Sequence, residues 1–100
     1  MSELVVYTRP GCPFCTLLRT RMSKRGLQWR EVNIWQDPEA AAAVRAAANG
    51  NETVPTVNVG STWLVNPSLP DLLEALENAA PELVPPQPPG LLDKLGLRKG

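Results

Sequence analysis

The sequence predicts an α/β fold: a four-stranded mixed sheet in the order β-α-β-α-β-β-α, with helices on both faces. Three observations carry that expectation. A β-favouring apolar run at residues 3–8 is followed by a helical pattern and a second strand, which together mark a parallel βαβ unit. An alanine-rich helix then leads into two strands joined by Gly60-Ser61, the composition of a tight hairpin. A leucine-striped segment from Leu69 to Ala80 supplies the last helix.

Glu3-Leu4-Val5-Val6-Tyr7-Thr8 suits a central strand covered on both faces, and Arg9-Pro10-Gly11 breaks it. From Pro13 onward the spacing is helical, with Phe14, Leu17, Leu18 and Met22 expected on one buried side. Pro13 fits the first turn, where its missing N–H would be unpaired anyway, and Gly26 is the expected stop. Residues 28–34 form a strand of mixed polarity, with Arg30, Val32 and Ile34 on one face, which belongs at a sheet edge. Asp37 as cap, Pro38 in the first turn and Glu39 behind it start a helix to Ala48, and Asn49-Gly50 ends it.

Val54-Pro55 precedes the strand Thr56-Val57-Asn58-Val59, and Gly60-Ser61 predicts a type II′ turn into Thr62-Trp63-Leu64-Val65. Ser68, with Asp71 three residues on, caps a helix striped by Leu69, Leu72, Leu73, Leu76 and Ala80. Residues 1–80 are thus expected to form the domain. Residues 81–100 carry prolines at 81, 85, 86, 88 and 89 and are expected to be an extended or loosely docked tail. Leu91, Leu92, Leu95 and Leu97 are its candidates for a short docking turn.

One hundred residues hold one domain and one modest core. Net charge is zero, yet residues 1–30 carry a net +5 and the remainder −5. A positive field over the first third favours a thiolate or an anionic substrate. Nucleic-acid binding is not expected, because the bases lack interleaved aromatics. No leader-like or membrane-length apolar run is present, so a soluble, cytoplasmic monomer that avoids membranes is expected. The chain has two cysteines and no histidine. A Cys–His nucleophilic pair and an imidazole zinc site are therefore excluded. Two soft ligands are too few for a closed tetrahedral metal site within one chain, and none is expected.

Cys12-Pro13-Phe14-Cys15 lies between a strand and a helix start, a context that gives the C-x-x-C spacing its meaning. At a helix N-terminus, unpaired N–H groups and the macrodipole stabilise negative charge. A free thiol has a pKa near ~8.5, and this setting lowers it to roughly 3.5–7.5. Cys12 is then the attacking sulfur and Cys15, one turn further in, the resolving one. A structural disulfide is disfavoured where no export signal is seen, and a zinc ribbon needs a second cysteine pair.

Tyr7-Thr8-Arg9-Pro10-Gly11-Cys12-Pro13-Phe14-Cys15 resembles the active-site segment of glutaredoxins, and Thr53-Val54-Pro55-Thr56-Val57 resembles their second signature. The resemblance covers roughly residues 3–80 and implies a thioredoxin-like (glutaredoxin) fold. It also implies that Pro55 is cis and faces the reactive sulfur, with the Val54 backbone open to a substrate amide. Leu64-Val65-Asn66-Pro67-Ser68 stands where many glutathione-using members have a glycine pair. With Asn49-Gly50-Asn51-Glu52 upstream, it looks more like the mycoredoxins of actinobacteria, which reduce mixed disulfides of mycothiol.

The expected activity is reduction of protein mixed disulfides, with mycothiol or glutathione as reductant and no bound cofactor. Cys12 and Cys15 are the catalytic residues. Arg9, Phe14, Val54, Pro55, Pro67 and Ser68 are the expected substrate groove, Ser68 offering helix-start N–H groups as well as a cap. Two rival functions fit the same motif. One is a dithiol redoxin fed by thioredoxin reductase that donates electrons to ribonucleotide reductase. The other is an iron–sulfur-bridged dimeric carrier, although Pro13 and the second cysteine disfavour a cluster. Trp29, Trp35 and Trp63 are expected to serve packing, and Asp71, Glu74 and Glu77 a solvated helix face.

Overall fold

A computed structural model describes residues 3–85. In chain order the elements are β1 (Leu4–Thr8), α1 (Pro13–Arg25), β2 (Arg30–Asn33), α2 (Pro38–Ala47), β3 (Thr56–Val59), β4 (Thr62–Val65) and α3 (Leu69–Ala79). The strands form one sheet in the order β2-β1-β3-β4, with β1 parallel to β2 and antiparallel to β3, and β3 antiparallel to β4. This is the expected mixed sheet. The polar strand β2 stands at its edge, and the apolar β1 is enclosed between two neighbours.

Strand periodicity sorts the side chains of β1 and β3 into two cores. On one face Leu4, Val6, Val57 and Val59 meet Leu18 and Met22 of α1 and Leu72 and Leu76 of α3. On the other, Ile34 and the buried Cys12 and Cys15 meet Ala40, Ala41 and Val44 of α2, with Tyr7 and Val32 alongside. Alanines give α2 a slim face and let it lie close to the sheet. Each fully buried leucine contributes about 1.5–3 kcal/mol by leaving water.

The expected caps form. Asp37 accepts from the backbone N–H of Glu39 and Ala40, and Ser68 accepts from Asp71. Gly26 ends α1 with φ 86°, a left-handed turn that favours glycine. Gly60 takes φ 61°, as the first central residue of a II′ turn requires.

One expectation about α1 is corrected. Cys15, Leu18 and Met22 make its buried face, whereas Phe14 is 61% and Leu17 46% exposed. Leu17 lies roughly 130° round the helix from the centre of that face, since each residue turns the chain by about 100°. The buried stripe therefore runs through the cysteine.

Residues 81–85 turn back onto the domain. Pro81–Leu83 form a 3-10 turn, Leu83 and Val84 pack on the α1–α3 core, and Arg25 Nη1 donates to the Pro85 carbonyl at 2.7 Å. The remaining tail, with Leu91, Leu92, Leu95 and Leu97, lies outside the described residues. No helix among the described residues is long and apolar enough to cross a membrane.

The corrected face of α1 has a measurable consequence. Leu18→Ala should lower unfolding stability by about 2–5 kcal/mol, as buried leucine truncations do. Phe14→Ala should change it by no more than about 0.5 kcal/mol, as expected for a surface site. Urea unfolding midpoints of the two variants at constant slope check both.

Candidate active site

The site is assembled where β1 ends and α1 begins. Gly11, at φ 76°, turns the chain so that Cys12 becomes the N-cap of α1 with extended backbone, φ −93° and ψ 110°. Its Sγ accepts the Cys15 backbone N–H at 3.4 Å, the position a serine or aspartate oxygen takes in an ordinary cap. Pro13 follows at the first helical position, and the Cys12 carbonyl accepts from the Thr16 N–H at 3.2 Å.

Facing the sulfur is the segment before β3. The Val54–Pro55 peptide bond is cis, as the resemblance implied, and Cys12 Sγ donates to the Val54 carbonyl at 3.7 Å. The Pro55 carbonyl in turn accepts the Asn66 N–H at 2.8 Å, which ties the segment before α3 to the same corner. Asn66 sits at φ 50°, a left-handed conformation that asparagine tolerates better than most residues.

The two thiols are free and differ sharply. Burial raises the pKa of Cys12, but hydrogen bonds outweigh it. These come from the Cys15 thiol and from the Cys15 and Phe14 backbone, with the Arg9 charge assisting, so Cys12 ionises below the ordinary thiol value. Cys15 is fully enclosed. Burial, then the hydrogen bond to Cys12 and the Cys12 charge, push it up to about 12, against smaller downward effects from the Arg9 backbone and the Arg19 charge. The arrangement makes one sulfur easier to ionise than an ordinary thiol and keeps the other a protonated thiol.

The expected groove residues do not all converge. Phe14, Pro67 and Ser68 line one groove of about 190 Å³, together with Leu17, Leu18, Arg21, Asn66 and Leu69. Val54 and Pro55 form the backbone edge at the sulfur. Arg9 is elsewhere: it lines a separate depression with Thr8, Pro10, Gly11, Arg19, Glu31, Asn33 and Gln36. Its guanidinium lies 5.9 Å from the centre of the Trp35 ring, a cation–π contact. Trp35 is 63% exposed, so its packing is at the surface, against Arg9. Trp63 packs stacked on Tyr7 at 5.6 Å between centroids.

Arg21 and Asn66 were not among the groove residues expected from the sequence, and Leu17 was expected in the core. Phe14, Leu17 and Arg21 stand three and four apart, so helical spacing aligns them. Asn66 before Pro67 is a turn signal that goes with a left-handed residue. Among the described residues, no group of three or more His, Cys, Asp or Glu side chains is placed to hold a metal ion.

Comparison with known proteins settles the family. The model of the family described as Glutaredoxin matches residues 4–64. The chain belongs to the glutaredoxin family. A Mycobacterium tuberculosis protein named as a glutaredoxin is 37% identical over 81 residues, covering 79% of this chain and 95% of that protein. Mycoredoxin 1 of Corynebacterium glutamicum is 30% identical over 81 residues, covering 80% of this chain and all of the relative. Among solved structures, the glutaredoxin-like NrdH-redoxin of Escherichia coli superposes with a TM-score of 0.60 at 31% identity, over 74% of this chain and 93% of that one. This glutaredoxin is a thiol–disulfide oxidoreductase, of a family that draws on a low-molecular-weight thiol as reductant.

The thiol asymmetry predicts a pH profile. Alkylation by iodoacetamide should fall on Cys12 first, and its rate should decline as pH drops through a pKa below that of free cysteine. Cys15, protonated until pH approaches about 12, should stay unlabelled through the neutral range. Peptide mapping after timed quenching reads both sites.

Proposed function

We propose that this glutaredoxin reduces mixed disulfides between proteins and a low-molecular-weight thiol, mycothiol in preference to glutathione, through Cys12. The observation that carries the chemistry is Cys12 as the cap of α1, its sulfur accepting the Cys15 N–H opposite the Val54 carbonyl. Support for mycothiol comes from the segment Leu64-Val65-Asn66-Pro67-Ser68 and from the similarity to mycoredoxin 1 over the full length of that relative.

In the first step the Cys12 thiolate attacks the small-thiol sulfur of the mixed disulfide. A Cys12–S–S–thiol bond forms, the old S–S bond breaks, and the protein leaves as its thiolate, which takes a proton from water. The Val54 and Pro55 backbone edge lies beside the sulfur where an extended substrate strand would run. Phe14, Pro67 and Ser68 wall the groove for the small thiol, with helix-start N–H groups at α3 for its carboxylate or hydroxyls. Arg9 acts on the site through its charge.

A second small thiol then attacks the enzyme-bound sulfur, releasing a symmetrical small disulfide and restoring the Cys12 thiolate. Cys15 offers another exit. Once Cys12 is in a disulfide, its negative charge and its hydrogen bond no longer hold Cys15 protonated. Two of the three causes that raise Cys15 disappear at the moment its sulfur is needed to attack Cys12, which breaks the bond to the small thiol, releases it as a thiolate and forms the Cys12–Cys15 disulfide.

A second reading is favoured by a specific observation. NrdH-redoxin, a glutaredoxin-like protein with a thioredoxin-like activity profile, is 31% identical and shares the fold over most of its length. A dithiol cycle fed by thioredoxin reductase fits the same two sulfurs.

The variants separate the two. Cys12→Ser should reduce turnover of a mycothiol mixed disulfide to background, whereas Cys15→Ser should keep most of it. Loss of activity in both variants, together with direct reduction by thioredoxin reductase and no added thiol, would mean that the dithiol cycle is the true one. Turnover of mycothiol against glutathione conjugates of one model protein decides the thiol.

A further inference from the structure

The exposed face of α1 is unusual for a helix of a small domain. Phe14 and Leu17, both large and apolar, stand 61% and 46% exposed. Arg21 and Lys24 continue the same line. All four fall within roughly 80° of one another around the helix axis. The ion pairs among the described residues use Arg19, Arg30 and Arg45, so none engages Arg21, Lys24 or Arg25.

Beside this face run two grooves that share Arg21 and Leu69. The first, of about 190 Å³, begins at Phe14 near the reactive end of the helix. The second, of about 410 Å³, is lined by Arg21, Lys24, Arg25, Leu69 and Pro70. Apolar walls thus lead from the active site into a basic stretch. Of the three acids of α3, Asp71 and Glu74 line a different groove against β4 and Glu77 lines neither, so the side chains lining this one carry charge of a single sign.

Resting on the mixed-disulfide reading above, we infer that this face of α1 is a docking track for an acidic, extended segment of the protein that carries the disulfide. A small thiol held beside Pro67 and Ser68 is too short to reach the basic stretch at Lys24. From Cys12 to Lys24 the helix advances roughly 18 Å, at 1.5 Å per residue. An extended peptide covers that distance in about four to six residues, at about 3.3 Å each. The favoured substrate therefore has acidic residues about that many positions from its cysteine and an apolar residue between, against Phe14 and Leu17. Opposite charge along the track raises the encounter rate and fixes the direction in which the segment lies.

Single-turnover kinetics in a Cys15→Ser background test this without any reductant. Two peptides of equal length each carry one cysteine in a mixed disulfide with 2-mercaptoethanol, followed by leucine and then by either glutamates or lysines. Cys12 takes the mercaptoethanol sulfur and the peptide leaves as its thiolate, a transfer followed by mass spectrometry. The acidic peptide should react about tenfold faster than the basic one at low salt, and the gap should narrow as salt screens the charges. The double variant Arg21→Glu/Lys24→Glu should abolish or invert the preference. Lys24→Glu alone, remote from the sulfur, should leave the rate with bis(2-hydroxyethyl) disulfide unchanged.

Equal rates for the two peptides, or a preference that survives the double reversal, would overturn the docking track. In that event bis(2-hydroxyethyl) disulfide still reacts at Cys12. A Cys12 that reacts with none of the three disulfides would instead remove the mixed-disulfide mechanism itself.

Discussion

The interaction on which the site depends is the hydrogen bond from the Cys15 N–H to Cys12 Sγ, by which a sulfur stands in for a helix cap. The other two helices begin in the ordinary way: α2 has Asp37 and Glu39, and α3 has Ser68 and Asp71. Both thus place an oxygen acceptor and a carboxylate at the positive end of the helix. The first turn of α1 has no acidic residue, while Lys24 and Arg25 complement its far end. The demand for negative charge at its start is left for Cys12 to meet. Ionising the sulfur satisfies a need that aspartate or serine meets elsewhere in the molecule, which is why its pKa is lowered despite burial.

The opposite behaviour of Cys15 follows from the same helix. Three residues after the cap, its side chain points inward to the α2 side of the sheet, among Ile34, Ala40, Ala41 and Val44. Apolar surroundings penalise the charged form, and a neighbouring anion penalises it again. The C-x-x-C spacing therefore creates the inequality between its two sulfurs by geometry alone: one lies at the helix terminus and the other on the buried stripe. A closer spacing would not bring the inner sulfur onto the core face, and one of seven would carry it beyond reach of the first.

Sequence reasoning reached the element order, the edge position of β2, the stop of α1 and the starts of α2 and α3, because each is written in local chemistry, while the cis Val54–Pro55 bond was implied by the resemblance to glutaredoxins. Asp37-Pro38, Gly26, Gly60-Ser61 and Ser68 fix the backbone within a few residues of themselves. What escaped depended on which side of an element faces inward. Counting Phe14 and Leu17 as core and Cys15 as chemistry rotated the stripe of α1, because a cysteine packs as a small hydrophobe as well as reacting. Arg9 stands near Cys12 in the chain, yet its stack on Trp35 takes it out of the groove with Phe14 and Ser68. The proline-rich segment 81–100 suggested a tail that is extended or loosely docked. Leu83 and Val84 find open core between α1 and α3, a long-range opportunity that proline content does not reveal.

Chemistry and selectivity rest on different parts of the chain. Against burial, which raises it, Cys12 is lowered largely by the Cys15 thiol and by backbone: the N–H groups of Cys15 and Phe14. Substitution of neighbouring side chains leaves those backbone groups in place as long as the fold stands. The adjoining groove, by contrast, is lined by side chains: Phe14, Leu17 and Arg21 on α1, and Asn66, Pro67 and Ser68 before α3. Such residues can change the preferred thiol or protein without disturbing the sulfur.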